Sequence, residues 1–267
     1  MVRFFTLNVN GLRDPNKSMS FLQWLTRVSA DLICLQETHV TSESECASWF
    51  SSLGSSHSCG TVLLFRGYYS LCRSFTDSAG RFVCGVFDFN GISFNVVSLY
   101  APNRDPSRSD FFHFMSVPTI ICGDFNAVFD RFLDRRCSDP SLCRNLSVSL
   151  LAFFEECFIV DVWRYLNPRV PAFTWSKPDG TLSSRIDLIG CHFPWLHHIS
   201  SCSILPCPYS DHSGVLCVCA FPVPLPCAPG PWKLNVSILE QPDFIELIEH
   251  FWQSWKLSKP SCNLQSW

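Results

Sequence analysis

Nine short apolar, β-branched or aromatic runs, bounded by Gly, Pro, Asn or Asp, punctuate this chain at 2–8, 31–36, 61–65, 81–89, 92–100, 118–123, 172–176, 185–191 and 214–220. Runs of this length and composition predict strands. Helical spacing lies between them. Ser18 is placed to cap a helix with Phe21, Leu22, Leu25 and Val28 on one face, and Leu146, Leu150, Phe153, Phe154 and Cys157 mark another. Hairpin neighbours, such as 81–89 and 92–100 joined through Gly91, mix with helix-separated ones. That mixture predicts an α/β sandwich with mixed sheets rather than a doubly wound parallel sheet.

The chain has 267 residues, 47% of them hydrophobic, enough for one large domain with a substantial core. The pattern changes at Phe221, so residues 1–220 read as the domain and the proline-rich 221–237 as an extended linker. An amphipathic helix over 238–258 follows, with Phe244, Leu247, Ile248, Phe251, Trp252 and Trp255 on one stripe. Such a stripe predicts docking on the chain's own domain or on another protein.

Lys and Arg total 20 against 23 Asp and Glu, so no global positive field announces a nucleic-acid partner. Arg104, Arg108, Arg131, Arg135, Arg136 and Arg144 are interleaved with Asp105, Asp110, Asp130, Asp134 and Asp139, which predicts a solvated mixed-charge surface rather than a DNA-binding stripe. Many of the 16 cysteines, Cys34, Cys84 and Cys122 among them, sit inside apolar runs and read as buried hydrophobes in a reducing compartment. His192, His197 and His198 beside Cys191 and Cys202 follow no metal-ligand spacing. The apolar stretch Val215 to Leu225 is broken by Pro222 and falls short of the ~20 residues that cross a bilayer. A nuclear or cytoplasmic protein, not a secreted one, is expected.

Several runs end in acids, amides or an imidazole. Glu37 closes the strand 31–36, where a hard-oxygen donor suits Mg²⁺; alone it reads as a solvated strand-end acid. Asn8 and Asn10 flank Val9 and at strand spacing point the same way, although Asn-x-Asn-Gly by itself is a turn. Asp124 and Asn126 share one side after the run ending at Cys122; Asp124 is suited to orient a water and Asn126 to donate to a phosphate oxygen. Asp187 lies among bulky apolar neighbours and needs a partner, for which His212 is the candidate. Asp211 is placed to reach a metal, and the strand-end Tyr100 to offer its hydroxyl to a phosphate.

Asn8-Val9-Asn10-Gly11-Leu12, Gln36-Glu37-Thr38-His39, Leu99-Tyr100-Ala101-Pro102-Asn103, Gly123-Asp124-Phe125-Asn126, Arg185-Ile186-Asp187 and Ser210-Asp211-His212 occur in the order found in the endonuclease/exonuclease/phosphatase superfamily, which the chain resembles over almost its whole length. Phe173-Thr174-Trp175 and Trp232-Lys233-Leu234-Asn235 resemble more narrowly the endonuclease domain of LINE-type retrotransposons, encoded in their second open reading frame. The resemblance implies a DNase I-like, four-layered sandwich of two packed mixed sheets flanked by helices. It implies Mg²⁺, with Mn²⁺ as the alternative, on Glu37 and Asp211 with help from Asn10. Asn8, Tyr100, Asn126 and His212 would bind the scissile phosphate, Asp124 would align the water and Asp187 would pair with His212. Thr174, with Trp175, would lie on a loop facing double-stranded DNA, and the product would be a nick with a 3′-hydroxyl.

Two departures stand out. The segment Asp110 to Val117 leaves a stub where relatives hold a longer helix, and the Ser51-to-Cys59 region is short. The sequence also stops before any polymerase, so the helix at 238–258 reads as the start of a connector toward a missing reverse transcriptase, and the chain as a stand-alone remnant. Two other readings compete with a DNA endonuclease. One is a phosphodiesterase or phosphatase of the same fold acting on a lipid headgroup, an inositol phosphate or an RNA end; the other is an inactive, retrotransposon-derived binding protein.

Overall fold

A computed structural model of the chain describes residues 1–39, 54–58, 60–77, 79–103, 105–113, 119–138, 147–220 and 241–258. The proline-rich linker, Arg104, Asp139, Arg144 and the 114–117 part of the shortened segment lie outside these residues. The chain divides into two compact units, Met1–Pro224 and Leu225–Trp267. In the second, the described part is one helix, Pro242–Ser258, on which Leu247, Ile248 and Trp252 are exposed.

In the first unit the strands are β1 (Val2–Asn8), β2 (Leu32–Gln36), β3 (Gly54–Ser58), β4 (Thr61–Phe65), β5 (Ser70–Thr76), β6 (Phe82–Phe89), β7 (Ile92–Tyr100), β8 (Ile120–Asp124), β9 (Arg135–Cys137), β10 (Ile159–Asp161), β11 (Trp175–Ser176), β12 (Leu182–Ser184), β13 (Asp187–His192), β14 (Ile199–Pro206) and β15 (Ser213–Cys219). One six-stranded sheet runs β14-β15-β1-β2-β4-β3 and a second runs β10-β13-β8-β7-β6-β5. Both are mixed: β1 pairs parallel with β2 and antiparallel with β15, and β7 pairs parallel with β8.

Side-chain alternation along the central strands sends successive residues to opposite faces. Phe4, Leu32, Cys34, Leu63, Phe87, Val96, Cys122, Ile189 and Cys217 fill the space between the sheets. Phe5, Leu7, Ile33, Leu35 and Val62 turn outward against Phe21 and Leu25 of α1 (Pro15–Val28). On the far side Val97, Leu99, Ile121 and Leu188 meet Phe112 of α2 (Asp105–His113) and Leu150 and Phe153 of α3 (Val148–Glu156). Covered on both faces, the central strands read as continuous apolar runs rather than alternating ones. The result is the expected helix–sheet–sheet–helix arrangement. Most of the described cysteines are small core residues: Cys34, Cys122, Cys191 and Cys217 are buried free thiols, and burial pushes the Cys191 thiol up to about 12.

One local expectation changes, and two shortened segments gain a structure. The α1 cap is Asp14, whose carboxylate accepts from the Asn16 and Lys17 N–H groups, with Pro15 opening the helix. Ser18 lies one turn inside and bonds back to the Pro15 carbonyl. Asp110 to His113 form the last turn of α2, where Phe112 stacks on Phe153 with centroids 4.6 Å apart. Ser56 to Ser58 belong to an edge strand.

Candidate active site

The polar motifs meet because both sheets present the same kind of end at one rim. In the first sheet Asn8 ends β1 opposite Gln36 at the end of β2, and His212 directly precedes β15. In the second, Asp124 ends β8 between Tyr100 of β7 and Asp187 of β13, its register partners on either side. Gly123 permits this crowding: a Cβ there would lie 2.0 Å from the Leu99 carbonyl oxygen. Buried hydrogen bonds clamp one sheet to the other beneath the rim. Thr6 Oγ1 donates to Gln36 Oε1 at 3.2 Å within the first sheet and holds the amide from which Gln36 Nε2 crosses to Ser98 Oγ at 3.2 Å, and Asn8 Nδ2 crosses to Asp124 Oδ2 at 3.0 Å.

Strand alternation alone does not aim the side chains. Asn10, Glu37 and Asn126 adopt left-handed backbone, with φ of 47°, 51° and 51°. That conformation is rare for a glutamate and is a form of strain found at functional sites. Asn8 Oδ1 accepts the Asn10 N–H and Asp124 Oδ1 accepts the Asn126 N–H, the same local turn used twice. Ser210, whose hydroxyl donates to the Asn8 carbonyl at 2.6 Å and accepts the His212 N–H at 3.1 Å, ties the 210–212 loop to the end of β1. Its place in the Ser-Asp-His triplet is the sequence signal for that role.

The pocket so formed has a volume of about 390 Å³ and is lined by Asn8, Asn10, Glu37, Tyr100, Asp124, Asn126, Trp175, Asp211 and His212, all expected from the sequence, and by Asn103, Arg135, Leu182, Ser184 and Ile186. Asn103 was legible as the last residue of the Tyr100 motif; Arg135 was hidden in the mixed-charge run. Asp187, fully buried behind the pocket, places Oδ2 2.8 Å from His212 Nδ1. Glu37 Oε1 accepts from Asn8 Nδ2 at 3.0 Å. Asp211 Oδ1 accepts from Asn10 Nδ2 at 3.1 Å and its Oδ2 from the Trp175 indole at 3.0 Å. Asn126 Nδ2 donates to the Ala101 carbonyl at 2.8 Å, which fixes the amide at the pocket wall.

Electrostatics follow from burial among acids. Burial opposes charge on His212, yet Asp187, Asp124 and Asp211 outweigh it and raise its pKa to about 9. Burial, then the Asp187 charge, raises Asp124 to about 7 against the pull of His212 and Asn8. Asp211 is held below the usual carboxylate value: burial works against this, and the Trp175 and Asn10 donors prevail. Burial and the neighbouring Glu37 push the Tyr100 phenol upward, so it stays protonated as a donor.

Thr174 is a correction. It is buried, and its hydroxyl accepts the N–H groups of Ile186 and Asp187, each at 3.1 Å. Its backbone N–H donates to Ser184 and its carbonyl accepts from Ser213. It therefore splices the Asp187 strand to the His212 strand from inside and has no surface for DNA. The arginine run also departs from expectation. Asp134 turns inward to Arg185 Nε at 2.7 Å and to Arg164, and Asp130 caps its own turn, so Arg131, Arg135 and Arg136 pair with no acid among the described residues.

Comparison with known proteins agrees with this geometry. Residues 5–212 match the model of the Endonuclease/Exonuclease/phosphatase family. The chain is 32% identical over 275 residues to the "Transposon TX1 uncharacterized 149 kDa protein" of Xenopus laevis, covering 94% of this chain and 20% of that protein. It thus spans about a fifth of that relative. An exodeoxyribonuclease of Bacillus subtilis is 26% identical over 225 residues, 70% of this chain and 86% of that enzyme. Among solved structures, AP endonuclease LMAP from Leishmania major superposes with a TM-score of 0.68 at 19% identity, over 81% of this chain and 86% of that one. The APE2 catalytic domain from Xenopus laevis gives 0.67 at 20% identity, over 82% and 92%. The two-sheet fold is therefore that of the DNase I-like nucleases and phosphodiesterases, and the chain belongs to the Endonuclease/Exonuclease/phosphatase family.

Proposed function

We propose that the protein is a divalent-metal-dependent endonuclease that hydrolyses one strand of double-stranded DNA and leaves a 3′-hydroxyl. The observation that carries this is the convergence of Asp187–His212, Asp124, Glu37 and Asp211 on one pocket. The transposon-protein relative and the AP-endonuclease neighbours support DNA as the substrate.

The donor set fits a hard divalent cation. Glu37 and Asp211 contribute carboxylates and Asn10 an amide to the same pocket. Asp124, Asp187 and His212 also bring one ligand atom each within 4.8 Å of one another. That trio is the weaker cradle, because Asp187 already holds the His212 ring. Mg²⁺ at Glu37, Asp211 and Asn10, or Mn²⁺ in its place, would supply Lewis-acid stabilisation of charge on the phosphoryl oxygens.

The chain's own groups supply the rest. His212, kept cationic by Asp187, donates to a non-bridging phosphate oxygen, and the Tyr100 hydroxyl offers a second donor. Asp124, ionised above about pH 7, accepts a proton from the attacking water. Purified protein should relax supercoiled plasmid with Mg²⁺, stop on addition of EDTA, and lose the activity in His212→Ala. Release of phosphate from small monoesters with plasmid left intact would replace this reading with the phosphatase one.

A further inference from the structure

We propose that Arg135 binds a second phosphate, that of a nucleotide next to the scissile linkage, and so makes the pocket selective for a polynucleotide strand over a small phosphate ester. This rests on the phosphodiesterase reading above.

Arg135 opens β9, the edge of the small sheet β11-β12-β9. Trp175, Ser184 and Arg135 form one register row across that sheet, and all three line the pocket. Arg135 is thus carried to the pocket wall, with Ser184 between it and Trp175, by strand pairing rather than by a flexible loop. Its Nε donates to Ser184 Oγ at 3.2 Å, which fixes the guanidinium and leaves the two terminal nitrogens for another partner.

The neighbouring charges make that partner an anion from outside. Arg135 is the one Lys or Arg among the described residues lining a pocket that also holds the carboxylates of Glu37, Asp124 and Asp211. It pairs with none of them, nor with any other acid among the described residues. Asp134, adjacent in sequence, is sequestered by Arg185 and Arg164. A fixed, acid-free guanidinium at the edge of an acidic pocket suits bidentate capture of a phosphate. The cavity, about 390 Å³, is nucleotide-sized rather than ion-sized. With His212 and Tyr100 serving the scissile phosphate, Arg135 serves its neighbour across the Trp175 wall.

The test uses duplex oligonucleotides in which single linkages flanking the cleavage point are replaced by uncharged methylphosphonates. For the wild type, one position should raise KM roughly tenfold or more with kcat kept. Arg135→Ala should show that rise on the all-phosphate duplex and no further rise at that position. Arg135→Lys should recover part of it, and both variants should melt like the wild type. Fluorescence-anisotropy binding of the same duplexes in EDTA reads the same pairing without turnover. An unchanged KM and affinity in Arg135→Ala, or losses that add fully at every linkage, would overturn the assignment. So would an equal loss on a small phosphomonoester. A wild type that binds these duplexes through Arg135 but cleaves none would instead overturn the endonuclease reading.

Discussion

Asp187 and His212 come from different sheets and meet with Oδ2 and Nδ1 2.8 Å apart, the aspartate fully buried and the histidine nearly so. The contact sets both the tautomer and the charge of the imidazole. Replacing Asp187 by Asn keeps the shape and removes the charge. Nicking by Asp187→Asn should fall by roughly 10²–10⁴-fold with the fold intact, measured as plasmid relaxation beside a melting curve.

The same contact ties stability to pH. The folded pKa of His212, about 9, lies above its ordinary 6.5, so its contribution is fully present below pH 6.5 and is lost as pH rises through 9. Urea unfolding in EDTA should show the wild type ahead of Asp187→Asn by up to about 3 kcal/mol near pH 6, the gap closing by pH 10. A gap independent of pH would mean the pair is neutral in the folded protein.

Asp124 sets the acid limb of activity. Burial and the Asp187 charge raise it to about 7, and the ionised form is the one that accepts a proton. The rate at subsaturating DNA should climb as pH rises through about 7 and fall again as His212 loses its proton through about 9. A bound divalent ion should shift the climb to lower pH, more so at high metal concentration. Asp124→Asn should abolish the limb along with most of the rate.

Trp175 holds Asp211 through its indole N–H at 3.0 Å, so with Asp211 in its proposed role as a metal ligand Trp175 acts on metal affinity. Trp175→Phe keeps an apolar wall and removes that donor. The Mg²⁺ concentration for half-maximal nicking should rise about tenfold or more, and metal affinity measured calorimetrically should fall in step, while the melting temperature changes little. Unchanged metal affinity would return Trp175 to a role in DNA contact alone.

Arg185 is 1% exposed and spans Asp134 and Asp161 with its ring of nitrogens 2.7 and 2.6 Å from the two carboxylates. Burial works against the ionised Asp134, and Arg185 and Arg164 more than offset this, holding its pKa below the usual range. That stabilisation is present above the ordinary carboxylate pKa and is lost as pH falls through the lowered one. Arg185→Met leaves the buried Asp161 without its cation and Asp134 with Arg164 alone, and should cost about 3–5 kcal/mol at neutral pH by denaturant unfolding. Its deficit should shrink toward acid pH as Asp161 protonates.

Strand positions were legible where they are central. Val2–Asn8 and Thr61–Phe65 form at the expected residues, because strands covered on both faces must be apolar throughout. The strands that escaped notice are mostly edges: β14, β3, β10 and β5 end the two large sheets, and β5 is exposed along most of its length. An edge strand needs little apolar content, so its sequence carries little signal.

By itself, the amino-acid order determined the kind of fold and the polar residues that ring the pocket, since strand ends are marked by where apolar runs stop and acids or amides begin. Tertiary structure alone decided which of those groups touch. Asp134 is drawn from a mixed-charge run into a buried ion network, Thr174 turns inward to splice two strands, and Arg135 is left in an acidic pocket with no acid partner among the described residues. The reason is range: periodicity reports the face a residue takes on its own strand, whereas the partner it finds depends on sheet register and on how two sheets meet across the core.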